Sequence, residues 1–272
     1  MTAAAAGVTA GVTPLRRIGV ISAAWHGLVL AWRNVTQLKH SPEKLGDVVL
    51  MPIVFTVLFL YVFGGAVAGS THAYLQELLP GLVAQMTLFT SVTVGTVLCE
   101  DIQKGVFDRF RSMPIARSAP LVGSVLGSAV RFFVSMAVLV AFGSALGFRF
   151  TTNPLSILAA FALAYGFYLS FCWISALIGL VAGSPGTVQG LALVLALPLS
   201  FGSSVLVANT ATMPSWLQAW VRVNPISYFA DTVRALSIGG PIGDKAAIAL
   251  AWVAGIIIVT FPLAMAVYRR RV

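Results

Sequence analysis

Six long apolar runs separated by short polar breaks set the pattern of this chain. They fall near residues 48–69, 80–99, 121–146, 155–182, 187–208 and 246–268, and each is about as long as the 20 or so mostly apolar residues a membrane-crossing helix needs. Ahead of them Ile18, Ile21, Trp25, Leu28, Trp32 and Val35 recur at alternating steps of three and four, which marks one stripe of a helix. Arg17, His26, Arg33, Asn34 and Gln37 fall off that stripe. With Trp25 and Trp32 on its apolar side and Arg17 and Arg33 on its polar side, this helix is suited to lie flat in the headgroup layer. Packing against other protein is the alternative. Ser41-Pro42 breaks the helix before the first run. Residues 1–14 are small and mostly uncharged, with neither an early charged region nor an apolar core, so they read as a disordered tail rather than a cleavable signal. Residues 15–272 then form one transmembrane domain.

Composition sharpens the picture. Only 9% of the 272 residues are charged and 58% are hydrophobic, whereas a soluble domain carries about 25% charged residues. Lipid must therefore cover most of the surface. Cys99 and Cys172 sit in apolar surroundings without metal-ligand spacing, which argues against a disulfide framework. The formal charge of +9 is unevenly placed. Twelve of the basic residues precede the first run, lie between the second and third, or end the chain; only Arg149, Arg222, Arg234 and Lys245 fall on the opposite side. The excess of Lys and Arg puts both termini in the cytoplasm. Anionic headgroups account for the basic balance, and nucleic-acid binding need not be invoked.

The densest charge lies in Glu100-Asp101-Ile102-Gln103-Lys104-Gly105-Val106-Phe107-Asp108-Arg109-Phe110-Arg111-Ser112-Met113-Pro114, on the cytoplasmic side. Read as a helix, it lines up Asp101, Lys104, Asp108 and Arg111 for pairing at about 0.2–0.5 kcal/mol each, with Ile102, Val106, Phe110 and Met113 on another face and Pro114 as a stop. A short stiff element of this kind can carry a push from a cytoplasmic partner; a solvated loop that only fixes orientation is the other reading.

This run, with its E-D-x-x-x-G-x-x-D-R-F-R-S-M-P pattern, resembles the cytoplasmic signature of ABC transporter permeases of the type-2 exporter class. It is most similar to the daunorubicin-resistance permeases of actinobacteria. The stretch Asn224-Pro225-Ile226-Ser227-Tyr228-Phe229-Ala230-Asp231-Thr232-Val233-Arg234 resembles the N-P-x-[ST]-Y-x-x-[DE]-x-x-R segment ahead of their last span. The resemblance covers nearly the whole chain. It implies an all-α integral membrane fold of six spans, with an interfacial helix, a cytoplasmic coupling helix and short re-entrant helices between spans five and six. It also implies that Glu100, Asp101, Lys104, Asp108, Arg109, Phe110, Arg111, Met113 and Pro114 dock on a dimeric cytoplasmic ATP-binding subunit, flanked by the helix at 16–39. Two permease chains, identical or sister, would form the pathway in the plasma membrane, and a lipophilic drug or lipid would leave through it. No G-x-x-x-x-G-K-[ST] phosphate loop occurs among the residues around Lys39, Lys44, Lys104 and Lys245. No cofactor is therefore expected on this chain, and ATP and magnesium belong on the partner.

Between spans five and six, Met213-Pro214-Ser215-Trp216-Leu217-Gln218-Ala219-Trp220 reads as a short helix with Pro214 at its first position and Trp216 and Trp220 one turn apart at the outer headgroup level. Asn224-Pro225 would open a second. The resemblance suggests that both dip into the membrane, so that Pro214, Trp216, Trp220, Asn224, Pro225, Tyr228, Asp231 and Arg234 form an outer gate; a surface cap is the alternative. Arg131 is the one charge placed deep in a span, roughly 14 Å in at about 1.5 Å per residue. Burying it costs at least ~2.5 kcal/mol, so it either faces the bundle or a wet cavity, or snorkels toward the cytoplasm. A lipophilic passenger wants a smooth aromatic wall, for which Phe55, Phe59, Phe63, Phe89, Phe167, Tyr168, Phe171 and Trp173 are candidates, with Arg131 beside the path. Glycines 64, 65, 69, 123, 127 and 143 are left to helix packing.

Two rivals from other classes fare worse. An ion-gradient antiporter needs a titratable carboxylate inside the membrane, yet Glu43, Asp47, Glu77, Glu100, Asp101, Asp108, Asp231 and Asp244 all fall in loops or at span ends. A lipid-modifying enzyme needs clustered His, Asp or Cys at one interface, and His26, His40 and His72 are isolated in the sequence.

Overall fold

The computed structural model of the chain describes residues 42–106, 119–207 and 213–271. The tail at 1–14, the helix bearing Arg17, Trp25, Trp32 and Arg33, and the coupling residues Asp108, Arg109, Phe110, Arg111, Met113 and Pro114 lie outside the described residues. Every regular element among the described residues is an α-helix: α1 (Pro42–Ala68), α2 (Thr71–Gln103), α3 (Ala119–Ala145), α4 (Pro154–Val181), α5 (Pro185–Phe201), α6 (Ser215–Val223), α7 (Pro225–Ile238) and α8 (Lys245–Arg271).

Local chemistry sets several of the starts. Asn153-Pro154, Ser184-Pro185 and Asn224-Pro225 share one design, in which the polar side chain accepts an N–H of the first turn and proline occupies the first helical position. Proline fits there because its missing N–H has no helical partner to lose. Ser70 caps α2 in the same manner by accepting from the Ala73 N–H, and Gly69, with φ 70°, makes the preceding turn.

Among the described residues five helices are long and apolar enough to cross a membrane: Val48–Ala68, Thr71–Gln103, Leu121–Ala145, Pro154–Val181 and Lys245–Arg270. The second is longer than the run at 80–99 suggests. Residues 72–79, read from sequence as a loop, are its first turns, and Pro80 lies inside the helix. Tyr74, Leu75, Leu78 and Leu79 continue its buried surface past the proline, and packed neighbours let a membrane helix tolerate the missing hydrogen bond. The run at 187–208 is correspondingly overestimated. Its helix α5 has only 17 residues and ends at Phe201, after which 202–207 are irregular.

α2 is the hub of the bundle. It packs against α1, α3, α4, α5 and α7, whereas α8 lies at the edge on α4 and α7. Its approach to α4 is made at glycines: a Cβ on Gly95 would overlap the Ser175 carbonyl, and one on Gly179 would overlap that of Gly95. There the Ser175 hydroxyl accepts from the Gly95 N–H at 3.0 Å and donates to the Val92 carbonyl at 2.9 Å. The helices thus have two distinct ends. One, the Lys104 end, holds the close of α2 and the α4–α5 link; the other, the Arg149 end, holds the α3–α4 link together with 202–207 and 213–244.

Candidate functional site

Where α5 stops, its last carbonyls and those of the irregular stretch after it lose their helical donors, and a segment among apolar helices must find replacements. Side chains from two other helices supply them. The Asn224 amide donates to the carbonyls of both Leu199 and Gly202, each at 2.8 Å. Arg234 Nη2 donates to the Ser204 carbonyl at 2.9 Å, and the Tyr74 hydroxyl, from the first turns of α2, donates to that of Leu206 at 2.9 Å. Asn224 does this while its own oxygen caps α7 through the Ile226 N–H at 2.9 Å. One amide thereby joins the end of α5 to the start of α7.

A charged cluster sits beside this junction. Asp231 Oδ1 accepts from Ser204 Oγ at 2.7 Å and from Arg234 Nη1 at 2.9 Å, and Oδ2 accepts from Lys245 Nζ at 2.8 Å. Arg234 Nε reaches across to the Glu77 carbonyl at 3.2 Å. Burial pulls the Arg234 guanidinium below its ordinary pKa, opposed by the negative charges of Asp231 and then Glu77. Its counter-charge is therefore what keeps a buried cation tolerable. Lys245, the first residue of α8, is half exposed, so its bridge is worth at most about 1 kcal/mol.

Each residue expected in the outer loop has a defined place. Pro214 precedes the α6 helix as its cap rather than occupying the first helical position, so the helix begins at Ser215. Trp216 is largely exposed; Trp220, less so, lays its indole against Gly202, where any Cβ would collide with Nε1 and Cδ1. The Tyr228 hydroxyl donates to the Arg222 carbonyl at 2.7 Å, closing the end of α6, and Pro225 opens α7. Asn224, Tyr228, Asp231 and Arg234, spaced four, three and three along α7, therefore serve the ends of α5 and α6, the start of α8 and the first turns of α2. Ser204, Tyr74 and Lys245 belong to the same network and were not singled out by the sequence. The signal was the Gly202-Ser203-Ser204 run, which sits inside an otherwise apolar stretch.

The Lys104 end differs from the helix expected there. Glu100, Asp101 and Gln103 lie in the last turn of α2, Lys104 caps it, and Gly105, with φ 65°, turns the chain away. The left-handed residue ends α2 there, and the continuation of the expected face to Asp108 and Arg111 lies outside the described residues. Lys104 instead pairs with Glu100 at 3.2 Å.

The candidate path residues separate into two groups. Phe55 and Phe59 are 5.5 Å apart, ring centroid to centroid, and meet Phe89 and Phe201, joining α1, α2 and α5. Phe167 is fully buried and stacks flat on Phe229 of α7 at 4.3 Å, with Phe171 beyond it. Arg131 sits partly buried on α3.

Residues 27–237 match the family model described as ABC-2 type transporter. The chain belongs to that family. It is similar along 97% of its length to the daunorubicin resistance ABC transporter permease protein DrrB1 of Streptomyces coeruleorubidus, with 40% identity over 264 residues covering 92% of that protein. The probable doxorubicin resistance permease DrrC of Mycobacterium tuberculosis is 27% identical over 82% of this chain and 80% of its own. DrrB of the same organism is 31% identical over 72% of each. The chain is thus a multi-pass ABC transporter permease, and both motifs that carry the resemblance lie within the matched region.

Proposed function

We propose that the chain is the membrane subunit of an ATP-driven exporter that moves a lipophilic or amphipathic drug or lipid outward across the plasma membrane. The observation that carries this reading is the end-to-end similarity to a daunorubicin resistance permease, joined to a sequence that has no phosphate loop of its own. ATP and magnesium are then bound and turned over by a separate cytoplasmic subunit.

In this scheme α5 makes the fifth of six crossings and α8 the last. The 17 residues of α5 span about 25 Å at about 1.5 Å each, and the hydrogen-bonded stretch 202–207 completes the passage. With six crossings both termini are cytoplasmic, the Lys104 end faces the ATPase, and the segment from Glu100 to Pro114 receives the stroke. At the outer end, α6 and α7 act as the gate. Opening it shifts α7 against α5, which exchanges the Asn224 and Arg234 bonds for bonds to water or passenger. Two permease chains, the same or sister, enclose the pathway, with Phe55, Phe59, Phe167 and Phe171 as its candidate lining.

The test is co-purification with a cytoplasmic ATP-binding subunit co-expressed with the permease. The full chain should retain it and raise its ATP turnover, and a charge-reversed Asp108→Arg, Arg109→Asp variant should lose both while still inserting in the membrane. Unchanged retention and efflux in that variant, or uphill transport by the chain alone on an ion gradient, would overturn the reading.

A further inference from the structure

At the Arg149 end α3 and α4 both lean on α2 and leave a slot between them. Leu79 and Val83 of α2 and Val233 of α7 form its buried floor, while Val140, Phe150 and Phe161 stand half-exposed at its lips. Ser237 is the one polar residue in the lining. The slot offers hydrocarbon contact and no hydrogen-bonding group at its mouth, and it opens where a lipid-covered bundle meets acyl chains.

A cation stands immediately beyond it. Arg149 lies in the link between Phe148 and Phe150, exposed, with Nη1 making only long contacts of 3.4 Å to the carbonyls of Ser144 and Phe148. Ser144 follows Val140 by one turn on the same face of α3, so the guanidinium sits one turn above the lip, toward the headgroups. The ion pairs found among the described residues join Lys104 to Glu100 and Asp231 to Arg234 and Lys245, and none involves Arg149. An arginine fork matches phosphate oxygens in geometry and charge. An apolar slot one turn below an unpaired arginine has the two-part chemistry of a phospholipid, acyl chain below and phosphate above.

We propose that this slot binds one acyl chain of a phospholipid of net negative charge, whose headgroup phosphate is held by Arg149. The lipid wedges between α3 and α4, next to α7, so its occupancy bears on the helix that secures the 202–207 segment. The site depends on neither the identity of the passenger nor the ATPase.

The full chain in nanodiscs of neutral lipid tests this, with trace phosphatidylglycerol or phosphatidylcholine carrying a photoreactive diazirine in the acyl chain. Wild type should label peptides spanning 140–161 with about fivefold preference for phosphatidylglycerol, as expected for one basic residue at an anionic headgroup. Arg149→Gln should bring the two lipids to parity. Val140→Trp, at a half-exposed lip position that tolerates bulk, should remove most labelling by either. Equal labelling by the two lipids in wild type, a preference that survives Arg149→Gln, or undiminished labelling of Val140→Trp would overturn the proposal.

Discussion

Gly81 of α2 lies directly against the carbonyl of Val205, so closely that a Cβ at position 81 would overlap that oxygen. The contact presses the non-helical stretch after α5 onto the hub helix, and backbone on both sides leaves no flexible atom to yield. Gly81→Leu should therefore push the 202–207 segment off α2 and destabilise the permease by about 1–3 kcal/mol, the usual range for overpacking. Gly65, with nothing within 4 Å of its would-be Cβ, is the internal control. Gly65→Ala should stay within about 0.5 kcal/mol. Thermal unfolding in detergent, followed for both variants, reads the difference.

Asn224 performs two tasks that substitution can separate. An aspartate keeps the oxygen that caps α7 but has no hydrogens for the Leu199 and Gly202 carbonyls, and it sets a negative charge beside both. Asn224→Asp should lose at least the about 1–3 kcal/mol attached to a buried unsatisfied carbonyl, although the cap survives. If Asn224→Asp unfolds like wild type while Asn224→Ala does not, the cap is the only task that matters.

The two bridges on Asp231 differ in worth because their partners differ in exposure. Arg234 is 11% exposed in its side chain and Lys245 51%. Removing the carboxylate with Asp231→Asn leaves a buried guanidinium without its counter-charge; a full burial would cost about 3–5 kcal/mol. Access of water to Asp231 lowers the expectation to about 1–3 kcal/mol. Lys245→Gln should cost less than about 1 kcal/mol, and that small loss should vanish in high salt. Melting curves at low and high ionic strength distinguish the two.

What the sequence made legible follows from the range of the interactions involved. The starts of α4, α5 and α7 are written in adjacent residues, Asn153-Pro154, Ser184-Pro185 and Asn224-Pro225, and a reader of the chain finds them within a residue or two. The motif from Asn224 to Arg234 was legible as a pattern through its resemblance. The purpose of each member was not, since Asn224 and Arg234 act on carbonyls of 199–204 that no spacing rule connects to them. The same cause displaced two boundaries. Pro80 looks like a break until the buried surface running through it from Tyr74 is known, and the run reaches 208, past the end of α5 at Phe201, because Val205 and Leu206 are apolar although the Leu206 carbonyl is bonded from Tyr74 and Val205 is pressed on Gly81. At the other end Gly105 was visible as a glycine, but the helical spacing of charges around it hid the left-handed turn that divides them.

Gln85 completes the set of expectations. It lies on α2, one turn toward the Lys104 end from Gly81, fully buried, and neither its Nε2 nor its Oε1 has a hydrogen-bond partner. α5 runs antiparallel to α2. Gln103 donates to the Gly183 carbonyl before α5 and Gly81 meets Val205 after it, with as many residues between the contacts on one segment as on the other. Ser200, on the buried stripe Val188, Ala192, Ala196, Ser200 of α5, likewise has an unpartnered hydroxyl. A primary amide held dry in this state costs about 1–3 kcal/mol, so Gln85→Met, which keeps the volume and removes the polar atoms, should raise the unfolding midpoint of the permease. Efflux decides what the amide is for. If Gln85→Met is more stable and transports as wild type, the amide is a simple liability. If it is more stable and transports several-fold more slowly, the amide gains its partner in another conformation of the cycle, and the unpaired state is stored for that step. A fall in stability would mean that ordered water or another group already satisfies it here, and would remove the basis of the prediction.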